Sequence, residues 1–123
     1  LERTGWISHE DRARVYSRAV LVAVPSLSPE PFGLVGLDAA ALGRPAIAFD
    51  VGGIRDWLTD GVNGTLVEPG AGEKGLASAL ASLLGNAGDR ERMGQRALDV
   101  SRRMSLAVHL DRLESVLGRA AAT

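Results

Sequence analysis

The stretch Ala19–Gly53, AVLVAVPSLSPEPFGLVGLDAAALGRPAIAFDVGG, decides the fold. It opens on six apolar residues, Ala19 to Val24, closed by Pro25. An unbroken run of this kind suits a parallel strand buried on both faces. Ser26 to Phe32, rich in Ser and Pro, reads as a loop. Gly33 to Leu42 reads as a helix ended by Gly43 and Pro45. Ala46-Ile47-Ala48-Phe49 is a second short buried strand, and Asp50 to Gly53 form the loop after it.

Working outward, Ser8 stands at an N-cap position, with Glu10 and Asp11 in the first turn facing the positive helix end. That predicts a helix over His9–Arg18. Downstream, Ile54–Thr59 fits a short helix, and Asp60-Gly61 and Asn63-Gly64 are turn signals. Thr65-Leu66-Val67 is a third strand, stopped at Pro69-Gly70. After Gly72 the pattern is helical: Leu76, Leu80, Leu83 and Leu84 share one face. Met93, Ala97, Val100 and Met104 mark a second amphipathic helix, and Leu106, Leu110, Leu113 and Leu117 a third. Each stripe is expected to pack on the sheet or on a partner domain. Strand and helix alternate, which implies right-handed parallel crossovers and a doubly wound, Rossmann-like α/β sheet with flanking helices. Three strands make a thin sheet of this type, and the first residue is Leu1, so residues 1–123 read as part of a longer domain.

Composition excludes several classes. The 123 residues are 46% hydrophobic and 24% charged, with 14 basic and 15 acidic residues and a net charge of −1. This is an ordinary globular balance, without the concentrated positive field of a nucleic-acid binder. The absence of cysteine removes disulfides, thiolate metal sites and a Cys nucleophile, and fits a reducing cytoplasm. No apolar run approaches the roughly 20 residues that span a bilayer. Abundant Ala, Gly and Arg suit a GC-rich bacterial source.

Ligands of open α/β sheets bind at the carboxyl ends of the strands. The loops Pro25–Gly33 and Asp50–Gly53 both follow strands, so both open on one edge and form one candidate site. Gly33 permits close backbone approach, and the N–H groups of Gly33 and Leu34 at a helix start suit an anionic oxygen. Glu30 beside them is suited to accept hydrogen bonds from sugar hydroxyls, and Asp38, within the helix, to grip a ribose diol. Charge-assisted bonds of this type contribute about 1.5–3 kcal/mol each. Taken singly, Glu30 fits a solvated loop residue, Asp38 a carboxylate attracted to its helix dipole, and Gly52-Gly53 a turn. His9 and His109 are isolated and read as surface or packing residues.

As an ordered string, Pro25-Ser26, Glu30-Pro31-Phe32-Gly33-Leu34, Asp38-Ala39, Leu42-Gly43-Arg44-Pro45, Ala48, Val51-Gly52-Gly53-Ile54, Asp60-Gly61-Val62-Asn63-Gly64 and Val67 resembles glycosyltransferase family 4. Gly5-Trp6-Ile7 and Tyr16 follow its pattern upstream. The resemblance implies the C-terminal nucleotide-sugar-binding domain of a retaining, GT-B-type hexosyltransferase, with the N-terminal acceptor domain outside this chain. It implies that Glu30 acts at the transferred sugar, that the amides of Phe32, Gly33 and Leu34 line the sugar and phosphates, that Asp38 holds the ribose, and that the backbone at Ile7 meets the base. The donor would be a UDP-, GDP- or ADP-linked sugar, with no metal and no other cofactor. The expected partners are that donor and the protein's own N-terminal domain, not nucleic acid. The expected location is cytoplasmic, with a peripheral place at the inner membrane face open to the full-length protein.

Two departures stand out. Asp38 occupies a position usually held by Glu, one methylene longer. The family's glycine-rich loop and the Arg and Lys that neutralise the diphosphate would precede Leu1, so the chain alone is expected to transfer no sugar and to bind nucleotides weakly. The alternatives are a non-catalytic nucleotide-binding or scaffold domain on the same fold, and a nucleotide-sugar epimerase or phosphorylase, against which the Phe-Gly, Gly-Gly and Asp-Gly-x-x-Gly series argues. A nicotinamide dehydrogenase lacks its G-x-G-x-x-G fingerprint here.

Overall fold

Capping chemistry sets the first element of the computed structural model, which describes residues 2–122. The Ser8 hydroxyl accepts the Asp11 N–H at 3.1 Å, and helix α1 (His9–Arg18) follows over the span expected. The first strand is shorter than its apolar run. Strand β1 is Val22–Val24, because the Ala19 N–H still closes α1 on the carbonyls of Val15 and Tyr16, at 3.2 and 3.1 Å. Nor is β1 buried on both faces: it is an edge strand, and Ala23 is exposed.

Helix α2 (Leu34–Ala40) is also shorter than the expected Gly33–Leu42. Gly33 takes φ +80° and ψ +51°, a left-handed conformation that precedes the helix rather than joining it. At the other end, Leu42 and Gly43 donate to the carbonyls of Ala39 and Ala40, at 3.0 and 2.9 Å, and the chain turns out. Strand β2 is Ala46–Phe49, as expected, and the helix anticipated over Ile54–Thr59 is instead a 3₁₀ turn over Gly52–Asp56. Strand β3 (Gly64–Val67) leads through a 3₁₀ turn at Pro69–Ala71 to helices α3 (Gly72–Gly85), α4 (Ala87–Arg103) and α5 (Leu106–Ala121). Asn86 and Ser105 cap the last two.

The strands form one parallel sheet in the order β1-β2-β3, with Val22 opposite Ala46 and Ala48 opposite Leu66. All four residues of central β2 are buried and alternate between two cores. Ala46 and Ala48 face Ile54, Trp57 and Leu58, with Phe32 and Leu37 packed alongside. Ile47 and Phe49 face Val67, Leu83 and Met93. The small β2 residues on the first face leave room for the large indole. Helix α4 serves both layers, giving Met93 to one and Val100 to the other. Burying a side chain the size of Ile47 contributes about 1.5–3 kcal/mol, so these layers carry the stability. The α4 stripe packs on the core, and of the α3 stripe Leu76, Leu80 and Leu83 do, while Leu84 is exposed. The α5 stripe does not: none of its described residues is buried. Among the described residues, no helix is long and apolar enough to cross a membrane.

Candidate functional site at the carboxyl edge of the sheet

The loops that follow β1 and β2 meet. The Gly53 N–H donates to the Glu30 carbonyl at 2.8 Å. A methyl group on Gly52 would sit 2.1 Å from that same oxygen, and one on Gly53 2.1 Å from the carbonyl of Pro31. Only glycines allow this crossing, and it joins the two loops into one site. Within the second loop Arg55 Nε donates to Asp50 Oδ1 at 2.6 Å, and Arg55 Nη2 donates to Asp50 Oδ2. Those hydrogen bonds, with the charge of Asp50, raise the Arg55 pKa above its ordinary value. The Asp50–Arg55 pair is therefore internally neutral. Glu30, half-buried, has no ion-pair partner among the described residues.

Glu30, Phe32, Gly33 and Leu34 line one cleft of about 470 Å³, together with Val24 and Ser26. Among the described residues, nothing accepts a hydrogen bond from the N–H of Gly33 or Leu34. Asp38 lies outside this cleft but one turn beyond Leu34 on α2, on the same stripe of the helix. It faces a second cleft of about 210 Å³ lined by His9, Arg12, Tyr16 and Leu42. There Arg12 Nη2 lies 3.2 Å from Asp38 Oδ2, each side chain about 40% exposed (40% and 41%). Tyr16 beside them titrates above its ordinary range, first because burial disfavours the phenolate and second because Asp38 repels it; Arg12 opposes both. Ile7, half-exposed, immediately precedes the Ser8 cap of α1. The structure thus groups Glu30, Phe32, Gly33 and Leu34 in one cleft and puts Asp38 in a second, and Ile7 lines neither.

Sequence reasoning missed two residues. Trp57 is buried, and its indole N–H donates to the Phe32 carbonyl at 2.5 Å. The signal was Gly33 and Gly36 one turn apart: methyl groups there would lie 2.5 Å from Ile54 and 2.2 Å from the Trp57 ring, so the glycines leave a slot. Arg12 was the other, and an exposed cation on a helix carries no signal of its partner.

A larger cleft, about 540 Å³, opens at the opposite edge around Gly43, Arg44 and Arg90. It lies by the amino ends of the strands, where open α/β sheets do not place ligands. Its cations are also engaged, Arg44 Nη2 with the Ser17 carbonyl at 2.7 Å and Arg90 Nη1 with that of Leu83 at 2.8 Å.

Residues 1–100 match the family model of glycosyl transferases group 1. The chain is 49% identical over 84 residues to D-inositol 3-phosphate glycosyltransferase of Kribbella flavida, covering 68% of this chain and 19% of that protein. It is 40% identical over 112 residues to the enzyme of the same name from Corynebacterium diphtheriae, covering 91% and 26%. Among solved structures, HepE of Anabaena in complex with UDP and glucose superposes with a TM-score of 0.80 at 27% identity, over 89% of this chain and 30% of that one. Sucrose-phosphate synthase of Thermosynechococcus elongatus gives 0.80 at 32% identity, over 95% and 30%. The chain therefore spans about a fifth to a quarter of the length of these two curated relatives, 19% and 26%.

Proposed function

The chain belongs to the glycosyl transferases group 1 family, and from that premise we propose that it is the donor-binding part of a retaining hexosyltransferase. The donor is a nucleotide-diphospho-sugar, and the acceptor is a hydroxyl held by a further domain of the full-length protein. One observation carries this reading: the Gly53–Glu30 hydrogen bond sets an unpaired carboxylate beside the unused N–H groups of Gly33 and Leu34, at the carboxyl edge of a parallel sheet. HepE, of the same fold, is a complex with UDP and glucose, which supports a uridine-linked donor.

Glu30 accepts hydrogen bonds from the transferred sugar. The amides of Phe32, Gly33 and Leu34 receive sugar and phosphate oxygens, Asp38 holds the ribose and the Ile7 backbone meets the base. The order Glu30, Gly33–Leu34, Asp38, Ile7 then follows a nucleotide sugar from its hexose to its base. The work of the reaction is electrostatic: fixed donors stabilise charge as the diphosphate leaves, without reorganising. No resident metal or cofactor enters this reading, and the cytoplasm, where nucleotide sugars are made, is the compartment it implies. No Lys or Arg among the described residues lines the Glu30 cleft to balance the charge of a departing diphosphate, so the 123-residue chain by itself is expected to turn over no sugar.

Titration of the chain with UDP-glucose and with UDP, followed by NMR, tests the assignment. Glu30→Gln weakens UDP-glucose by roughly tenfold, the scale of one charge-assisted bond, and leaves UDP unchanged. Asp38→Ala weakens both. An equal effect of Glu30→Gln on UDP and UDP-glucose overturns the sugar contact. The ion pair that Arg12 makes with Asp38 favours one second reading, a non-catalytic scaffold in which Asp38 serves that pair rather than a ribose. Under that reading no nucleotide raises the melting temperature, whereas a ligand at a hundredfold its dissociation constant stabilises by about 2.7 kcal/mol.

A further inference from the structure

Trp57 sits behind the candidate site rather than in it, yet its polar edge reaches the one peptide the site depends on. The indole is 3% exposed, and its N–H donates to the Phe32 carbonyl at 2.5 Å. No peptide bond among the described residues is cis, so the Phe32 C=O and the Gly33 N–H, which share one planar unit, point in opposite directions. The carbonyl points inward to Trp57. The Gly33 N–H therefore points outward, on the side where Glu30, Phe32, Gly33 and Leu34 line their cleft and where no described residue accepts from it. Trp57 is itself clamped, because Asn63 Nδ2 donates to its carbonyl at 2.7 Å and Gly33 and Gly36 admit its ring.

We infer that Trp57 is a positioning residue for donor binding: its indole N–H fixes the Phe32–Gly33 peptide so that the Gly33 amide is presented to an oxygen of the nucleotide sugar. Without that bond the part-buried Phe32 carbonyl loses its partner, and the peptide plane turns to recover one. A bound oxygen then loses its donor although every residue lining the cleft remains. The inference rests on the reading of Glu30 and Gly33 as donor contacts.

The test uses the full 123-residue chain with UDP-glucose and ¹⁵N-resolved NMR. Trp57→Phe keeps an aromatic ring and removes the N–H. A second variant carries benzothienylalanine at position 57, in which sulfur replaces the N–H with the ring shape retained, so the result does not depend on Trp57→Phe folding well. Both variants bind UDP-glucose about tenfold more weakly, the scale of one misaimed charge-assisted bond. In both, the Gly33 amide resonance ceases to respond to ligand. Leu83→Ala, in the opposite core layer, lowers the melting temperature and leaves affinity unchanged, which separates positioning from stability. Unchanged affinity in the benzothienylalanine variant, with Glu30→Gln still weakening UDP-glucose, overturns the role of Trp57 alone. Unchanged affinity in Glu30→Gln as well overturns the donor-site reading and this inference with it.

Discussion

Arg12 and Asp38 face each other across the α1–α2 cleft at 3.2 Å, each about two-fifths exposed (40% and 41%). An ion pair so open to water is worth about 0–1 kcal/mol and weakens with salt. Arg12→Met should lower the melting temperature by only a few degrees in low salt, and by nothing measurable in half-molar salt. The same pair bears on Tyr16, whose pKa lies above its ordinary 10.0 because burial disfavours the phenolate and Asp38 repels it. A folded-state pKa raised above the unfolded value contributes stability that is complete below the unfolded pKa and lost as pH rises through the folded one. Thermal melts across pH 9 to 12 should therefore fall more steeply for the native chain than for Tyr16→Phe. At the loop crossing, Gly53→Ala would press a methyl group to 2.1 Å from the Pro31 carbonyl. That clash of a methyl group with a backbone carbonyl should cost at least about 2 kcal/mol in urea denaturation and weaken UDP-glucose in parallel, since the crossing holds Glu30 in place.

Among the elements, the turn before β3 shows how far local sequence reaches. Asn63-Gly64 announces a turn and nothing more. In the fold, Asn63 is 1% exposed; its Oδ1 accepts the Thr59 N–H and its Nδ2 donates to the Trp57 carbonyl, both at 2.7 Å. Asn63→Ala strands the buried Trp57 carbonyl and the part-buried Thr59 N–H, so it should destabilise by about 2–3 kcal/mol in denaturant unfolding, more than an exposed turn residue would. The strands and helices were legible because apolar runs, caps and Gly-Pro stops are local: Ser8 announced α1, and Pro25 and Pro69 closed the strands they follow. Their edges were less so. Ala19 to Leu21 looked like strand but serve to leave α1, and Gly33 looked like helix but takes a left-handed turn before it. Glu30, Gly33 and the meeting of the two loops were legible from parallel topology. Trp57 and Arg12 were not, because each acts through a partner on another element, 25 and 26 residues away in sequence, Phe32 and Asp38.

For the molecule as a whole, the two core layers enclose β2, and α5 stands apart from them. Leu106, Leu110, Leu113 and Leu117 are 71%, 46%, 44% and 58% exposed. Ending the chain after Ser105 should therefore change unfolding free energy by no more than about 1 kcal/mol, whereas deleting α4, which closes both layers, should abolish cooperative unfolding. The central position of β2 also sets a timetable. Among the described residues every strand, and the crossing of the two loops, lies between Val22 and Val67. The segments that must close to pair β1 with β2, and β2 with β3, are short, and short closures are fast. The amides of Ile47 and Ala48 should then exchange with solvent most slowly of all, those of α5 fastest, and the cleft around Glu30 should be assembled by the first part of the chain to fold.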